Sequence, residues 1–195
     1  MPKIVTEKKK EIARKRIKQK TENLIEEIGI KNITITKICD AVPIGKGTFY
    51  YYFNSKEVLL YEVIKEKEEN LMKQMLDYCN KDISIEEKVI KTLTEVYIGK
   101  SSIVNTITTE EFEKIIAKLP PELIYNKELR GKNFFESSMK LLGINPLDVN
   151  MGVLGELLDG INFMASRPCK HGEEARREAL QILIKGLAAY IAKRD

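Results

Sequence analysis

Pro43 lies between two short apolar repeats, so no single helix can run through residues 34–56. Proline has no amide hydrogen and pushes the residue before it, Val42, away from helical geometry. Before it, Ile35, Ile38, Cys39 and Val42 recur at i, i+3, i+4 and i+7, one face of a helix. Thr34 precedes that repeat and can cap it, because its hydroxyl can accept a free amide of the first turn. After it, Gly45 is an acceptable N-cap, and Phe49 and Phe53 lie four apart on one face of a second helix. Lys46, Thr48, Tyr50, Tyr51 and Tyr52 then point elsewhere.

Two short helices meeting at such a turn form a helix-turn-helix, whose second helix reads the major groove of double-stranded DNA. The side chains in that position suit the task. Lys46 can donate to phosphate or guanine, and Gly47 lets the backbone approach closely. Thr48 offers a hydroxyl and a methyl group, and Tyr50, Tyr51 and Tyr52 offer phenol donors. Phe49 and Phe53 already occupy the core face, so three consecutive tyrosines cannot all be buried, although Tyr50 and Tyr52 can be partly structural.

The stretch resembles the DNA-binding segment of TetR-family transcriptional regulators. Ile38, Lys46-Gly47-Thr48-Phe49-Tyr50, Tyr52-Phe53 and Ser55-Lys56 carry the resemblance, over about an eighth of the 195 residues. The family usually has Ala-Gly where this chain has Val42-Pro43, and Ser where it has Gly45. The resemblance implies that Thr34, Thr36, Lys37 and Lys56 flank the reading helix at phosphate-contacting positions, with Gly45 opening it. It also implies a ligand-sensing and dimerisation domain in the remainder.

Charge distribution agrees with a local polyanion surface. Residues 1–57 carry 13 Lys+Arg against 7 Asp+Glu, a net +6, whereas residues 58–195 carry 20 against 22, a net −2. Much of the excess sits on a helical pattern from Glu7 to Ile28, where Lys8, Lys9, Lys10, Arg14, Lys15, Arg16, Lys18 and Lys20 crowd the first half. Positive charge there opposes the helix dipole, which supports a phosphate-facing role, with a solvated face as the alternative.

Other chemistry finds little support. Cys39, Cys79 and Cys169 form no CxxC pair, and reduced thiols suit a cytoplasmic protein. Cys39 falls on the apolar face of its helix as a small core residue. His171 is the one histidine, in a charged loop, so neither a metal nor another cofactor is expected. Gly45-Lys46-Gly47-Thr48 lacks the GxxxxGK[ST] spacing of a phosphate loop, and no GxSxG, HExxH or GxGxxG is present, so no enzyme is expected. No run of about 18 apolar residues predicts a membrane span.

Helical patterns fill the rest of the chain and no convincing strand alternation interrupts them, so an all-α fold of about nine helices is predicted. Residues 1–6 read as a loose tail. A long helix is predicted over Lys56–Cys79, capped by Asn54 or Ser55 and charged in its middle, as a helix bridging two packed units would be. This divides the chain into a three-helix DNA-binding domain, 1–57, and a larger helical bundle, 58–195, for effector binding and dimerisation. Ser84 opens the next helix, Ser101–Thr108 reads as a short helix or a loop, and Thr109 opens a helix that ends before Pro120. Further helices are predicted over Glu122–Leu142, closed by Gly143, from Pro146 to Ser166, and over Glu173–Lys193.

The last two are apolar around more than one face, which fits burial against both their own core and a second subunit, or central burial in a monomer. A dimer is favoured because one helix-turn-helix reads too few base pairs. Val153, Leu157, Gly160, Leu180, Leu183, Leu187 and Ile191 are its candidate interface. Met75, Tyr78, Tyr97, Phe112, Phe134, Phe135, Met139, Asn162 and Phe163 are candidates for an effector pocket, each equally suited to ordinary core packing. The resulting expectation is a homodimeric regulator, a repressor of a pseudo-palindromic operator relieved by a small-molecule effector. Its rival is an architectural DNA-binding protein with no effector.

Overall fold

A computed structural model describes residues 7–99, 102 and 107–192. The expectations for 1–6 and for most of Ser101–Thr108 fall outside those residues. Among the described residues the chain forms nine α-helices, one 3-10 turn and no strand. The fold is all-α.

Two compact units are present: the chain up to Glu66 together with Glu110–Leu119, and Lys67–Thr109 together with the chain from Pro120 onward. The first begins with α1, Glu7–Ile28. Gly29 ends it at φ 76°, a left-handed value that glycine adopts without a Cβ penalty, and its N–H donates to Ile25 O at 2.9 Å. A 3-10 turn, Ile30–Asn32, leads into α2, Ile35–Ala41, and α3, Lys46–Tyr52. The N-terminal part of α4, Lys56–Cys79, completes the unit with α6, Thr109–Ile116. Ser55 caps α4 by accepting the Val58 N–H at 3.1 Å. Ile17, Ile25, Ile38, Phe49, Phe53, Leu59, Ile115 and Leu119 are buried.

The second unit contains the rest of α4, then α5, Ile85–Tyr97, α7, Pro121–Leu141, α8, Met151–Ser166, and α9, Glu173–Ala192. Ser84 caps α5 through the Glu87 N–H, at 3.1 Å, with Glu86 and Glu87 favourably placed in its first turn. Pro121 opens α7, where its missing N–H costs nothing. After Leu142, Gly143 turns at φ 74° and the Ile144 N–H reaches back to Met139 O, 2.9 Å away; both side chains are buried. α9 packs against α5 and α8. Met75, Val89, Tyr97, Met139, Leu154, Ile184 and Leu187 belong to one core.

α8 starts five residues later than expected. Asn145 accepts the Leu147 N–H through its side chain, at 3.1 Å, and holds residues 145–148 in a turn. Asn150 then caps the helix, its Oδ1 accepting from the Gly152 and Val153 amides at 3.0 and 3.2 Å.

Candidate nucleic-acid interface

Local chemistry sets the two motif helices. Thr34 Oγ1 accepts the Lys37 N–H at 3.2 Å and starts α2. The Val42 N–H still reaches Ile38 O, at 3.1 Å, and the Ile44 N–H reaches Cys39 O, at 3.0 Å, so the chain reverses immediately after α2. The reversal places Pro43 at φ 29°, in the left-handed region that a proline ring disfavours. Gly45 precedes α3 in extended conformation, with no side-chain cap.

Phe49 and Phe53 seal α3 against the core, with ring centroids 6.0 Å apart. The opposite side is open: Lys46, Gly47 and Thr48 are exposed, Tyr50 is 53 % exposed and Tyr51 57 %. Tyr52 is half-buried, its ring edge-on to that of Tyr51 at 5.0 Å. The Lys10 ammonium lies 5.6 Å from the Tyr51 ring centroid, bringing α1 beside the open face of α3. Thr34, Thr36 and Lys37 are exposed at the entrance to α2. Cys39 is buried behind them, and burial together with Asp40 pushes its thiol above the ordinary value, which keeps it neutral.

Lys56 has a different setting from the other candidates. It is half-buried, and its ammonium donates to Ile33 O at 3.0 Å, tying the entrance of α2 to the first turn of α4. The basic cluster of α1 is likewise divided. Arg14 donates to Tyr52 O and to Glu62, and Lys18 pairs with Glu66. These two therefore brace the motif instead of facing solvent, whereas Lys8, Lys9, Lys15, Arg16 and Lys20 are exposed. Sequence reasoning missed the brace. Its signal was the matched four-residue spacing of Arg14 with Lys18 and of Glu62 with Glu66.

Residues 17–63 match the family model described as bacterial regulatory proteins, tetR family. Over those residues the chain is similar to the TetR family. The matched residues span all of α2 and α3. Two solved structures share the fold of this chain. A TetR/AcrR-family transcriptional regulator from Thermobifida fusca YX-ER1 is 21% identical with TM-score 0.63, over 90% of this chain and 96% of that one. A second structure, described as a TetR/AcrR family member, is 15% identical with TM-score 0.58, over 93% of this chain and 99% of that one. Among curated proteins none matches this chain.

The other candidate residues separate by burial. Met75, Tyr97 and Met139 line a cavity of about 200 Å³ in the second unit. Tyr78 is half-buried with the Lys81 ammonium 5.4 Å from its ring centroid, and Asn162 is half-buried; neither lines the cavity. Phe163 is 66 % exposed, on the outer side of α8. Phe112 belongs to the first unit. Phe134 and Phe135 lie outside the described side chains.

Of the candidate interface residues, Leu180, Leu187 and Ile191 are buried in the core of their own unit. Val153, Leu157, Gly160 and Leu183 are exposed. No helix among the described residues is long and apolar enough to cross a membrane, and no group of three or more His, Cys, Asp or Glu there could hold a metal ion.

Proposed function

We propose that this chain is a TetR-family transcriptional regulator, a homodimeric, cytoplasmic repressor whose grip on a pseudo-palindromic operator is relieved by a small molecule. Residues 1–57 read DNA, through Lys46, Thr48 and Tyr51 at base edges. Thr34, Thr36, Lys37, Gly47, Tyr50 and Tyr52 follow the phosphates. Residues 58–195 sense the effector and dimerise. The observation that carries this reading is the single helix α4. Its first turns hold Arg14 and Lys18 through Glu62 and Glu66, and its later turns contribute Met75 to the cavity wall. A ligand that favours one position of α4 over another shifts the population of DNA-competent dimers.

The apolar stripe Val153, Leu157 and Gly160 on α8, with Ile182 and Leu183 on α9, supports the dimer. Nothing lies within 4 Å of where a Cβ would sit at Gly160 or Gly186, so a second copy can come close. Two recognition helices then meet half-sites one helical turn apart. Sedimentation of the full chain at micromolar concentration tests the assembly, and a monomer overturns it. Binding-site selection followed by titration on selected and random duplexes tests the reader. Near-equal affinities for the two favour the architectural alternative.

A further inference from the structure

Thr21 and Thr92 are both buried helical threonines, and they treat their hydroxyls differently. Thr21 donates to the carbonyl one turn back, Ile17 O, at 2.8 Å, the usual way to satisfy such a group. Thr92, on α5 and 4 % exposed, does not: its Oγ1 is buried with no hydrogen-bond partner among the described residues. Thr92 lines the cavity of about 200 Å³. Val89, Leu93, Val96, Leu154 and Leu158 supply apolar wall around it, and no described lining residue is charged. Burial, with Asp159 nearby, holds the Tyr97 phenol above its ordinary value, so that group is neutral at pH 7 as well.

A buried hydroxyl without a partner is costly, and a polar atom brought to it relieves that cost. A carboxylate brought into the same space would lose its water and find no opposite charge. Size sets a further limit, since a dry apolar cavity of about 150 Å³ admits benzene. The space here therefore holds one ring with a short alkyl chain.

We propose that the cavity takes a neutral, single-ring-sized apolar molecule bearing one hydroxyl or carbonyl oxygen, and that Thr92 is its polar anchor. This names the ligand class for the effector reading above and rests on it. A threonine hydroxyl can donate or accept, so either oxygen type is served.

Calorimetric titration of the full chain with 4-ethylphenol, ethylbenzene and 4-ethylbenzoate tests it. 4-Ethylphenol binds, and Thr92→Val weakens it about three- to tenfold, the scale of one net hydrogen bond. Thr92→Val leaves ethylbenzene within about twofold, Thr92→Ser restores the phenol, and 4-ethylbenzoate binds more weakly than the phenol. Thr92→Val removes an unpartnered hydroxyl at constant shape, so the fold survives the test. Failure of 4-ethylphenol to bind at millimolar concentration, equal weakening of phenol and ethylbenzene, or tighter binding of 4-ethylbenzoate overturns the proposal. DNA release on a selected duplex is measured separately. A phenol that binds through Thr92 without releasing DNA keeps the ligand class and overturns the effector reading. A benzoate that releases DNA when the phenol does not overturns the ligand class and keeps the effector reading.

Discussion

The guanidinium of Arg14 lies over the ring of Phe53, 4.2 Å from its centroid. The same group donates to the carbonyl of Tyr52, one of the last of α3, and to Glu62 on α4. A helix ends with carbonyls that lack intrahelical donors, and a cation there satisfies one of them and complements the dipole. Arg14 thus fixes the end of α3.

Replacing Arg14 with Lys removes the planar fork that lets one side chain serve three partners. Arg14→Lys is expected to destabilise the protein by about 1–2 kcal/mol, discounted for partial exposure. Urea denaturation measures it. An unchanged midpoint with lost DNA affinity would make Arg14 a phosphate contact instead.

Pro43→Gly should stabilise the chain. A proline ring holds φ near about −65°, far from the 29° found at Pro43. Glycine adopts that value freely, and its larger unfolded-state entropy offsets only part of the strain relieved. A net gain of about 1–2 kcal/mol is expected, read as a higher melting temperature. A lower one sinks the account of the turn.

The exposed and the braced cations of α1 should behave oppositely in salt. Lys8→Ala with Lys9→Ala is expected to weaken binding to all duplexes alike. The slope of log affinity against log salt should flatten by up to about 0.9 for each phosphate that is no longer neutralised. Lys18→Ala should leave that slope alone, because Lys18 already pairs with Glu66. Equal changes in slope would contradict the division.

Thr48→Ala and Tyr51→Ala should each cost roughly 1–3 kcal/mol on a selected site and less on random DNA. Lys56→Ala should weaken every sequence alike and also lower stability, since Ile33 O loses its donor. Site selection on each variant checks this. A preference that survives Thr48→Ala and Tyr51→Ala but changes with Lys56→Ala reverses the assignment.

Two leucines test the dimer. Leu157 is 37 % exposed and Leu187 2 %. Leu157→Glu is expected to give folded monomers, whereas Leu187→Glu places a charge in the core and abolishes folding. Sedimentation and circular dichroism separate the two outcomes, and a folded dimer with Leu157→Glu refutes the proposed interface.

Local signals were readable in the sequence because local chemistry enforces them. Pro43 breaks the helix, Phe49 and Phe53 share a face, and Ser55, Ser84 and Gly143 act at helix ends as their types imply. The start of α8 was not readable. Proline at 146 suits a first turn, yet the side chains of Asn145 and Asn150 bind nearby amides and win. Two-sided apolarity on α9 could not say which leucines face inward, because that depends on how α5 and α8 pack against it. Nor could charge counting reveal that Arg14 and Lys18 are matched by carboxylates 48 residues away.

The first unit borrows Glu110–Leu119 from well beyond its own N-terminal stretch. Ile115 and Leu119 are buried there, and Lys118 approaches Glu57 to 3.7 Å. During synthesis the first unit therefore emerges incomplete. At about 5–20 residues per second, a ribosome needs about three to ten seconds to pass from Glu66 to Leu119. Through that interval the nascent chain holds a helix-turn-helix whose apolar surface awaits its last helix, and a fragment cut at Glu66 would stay in that unfinished state.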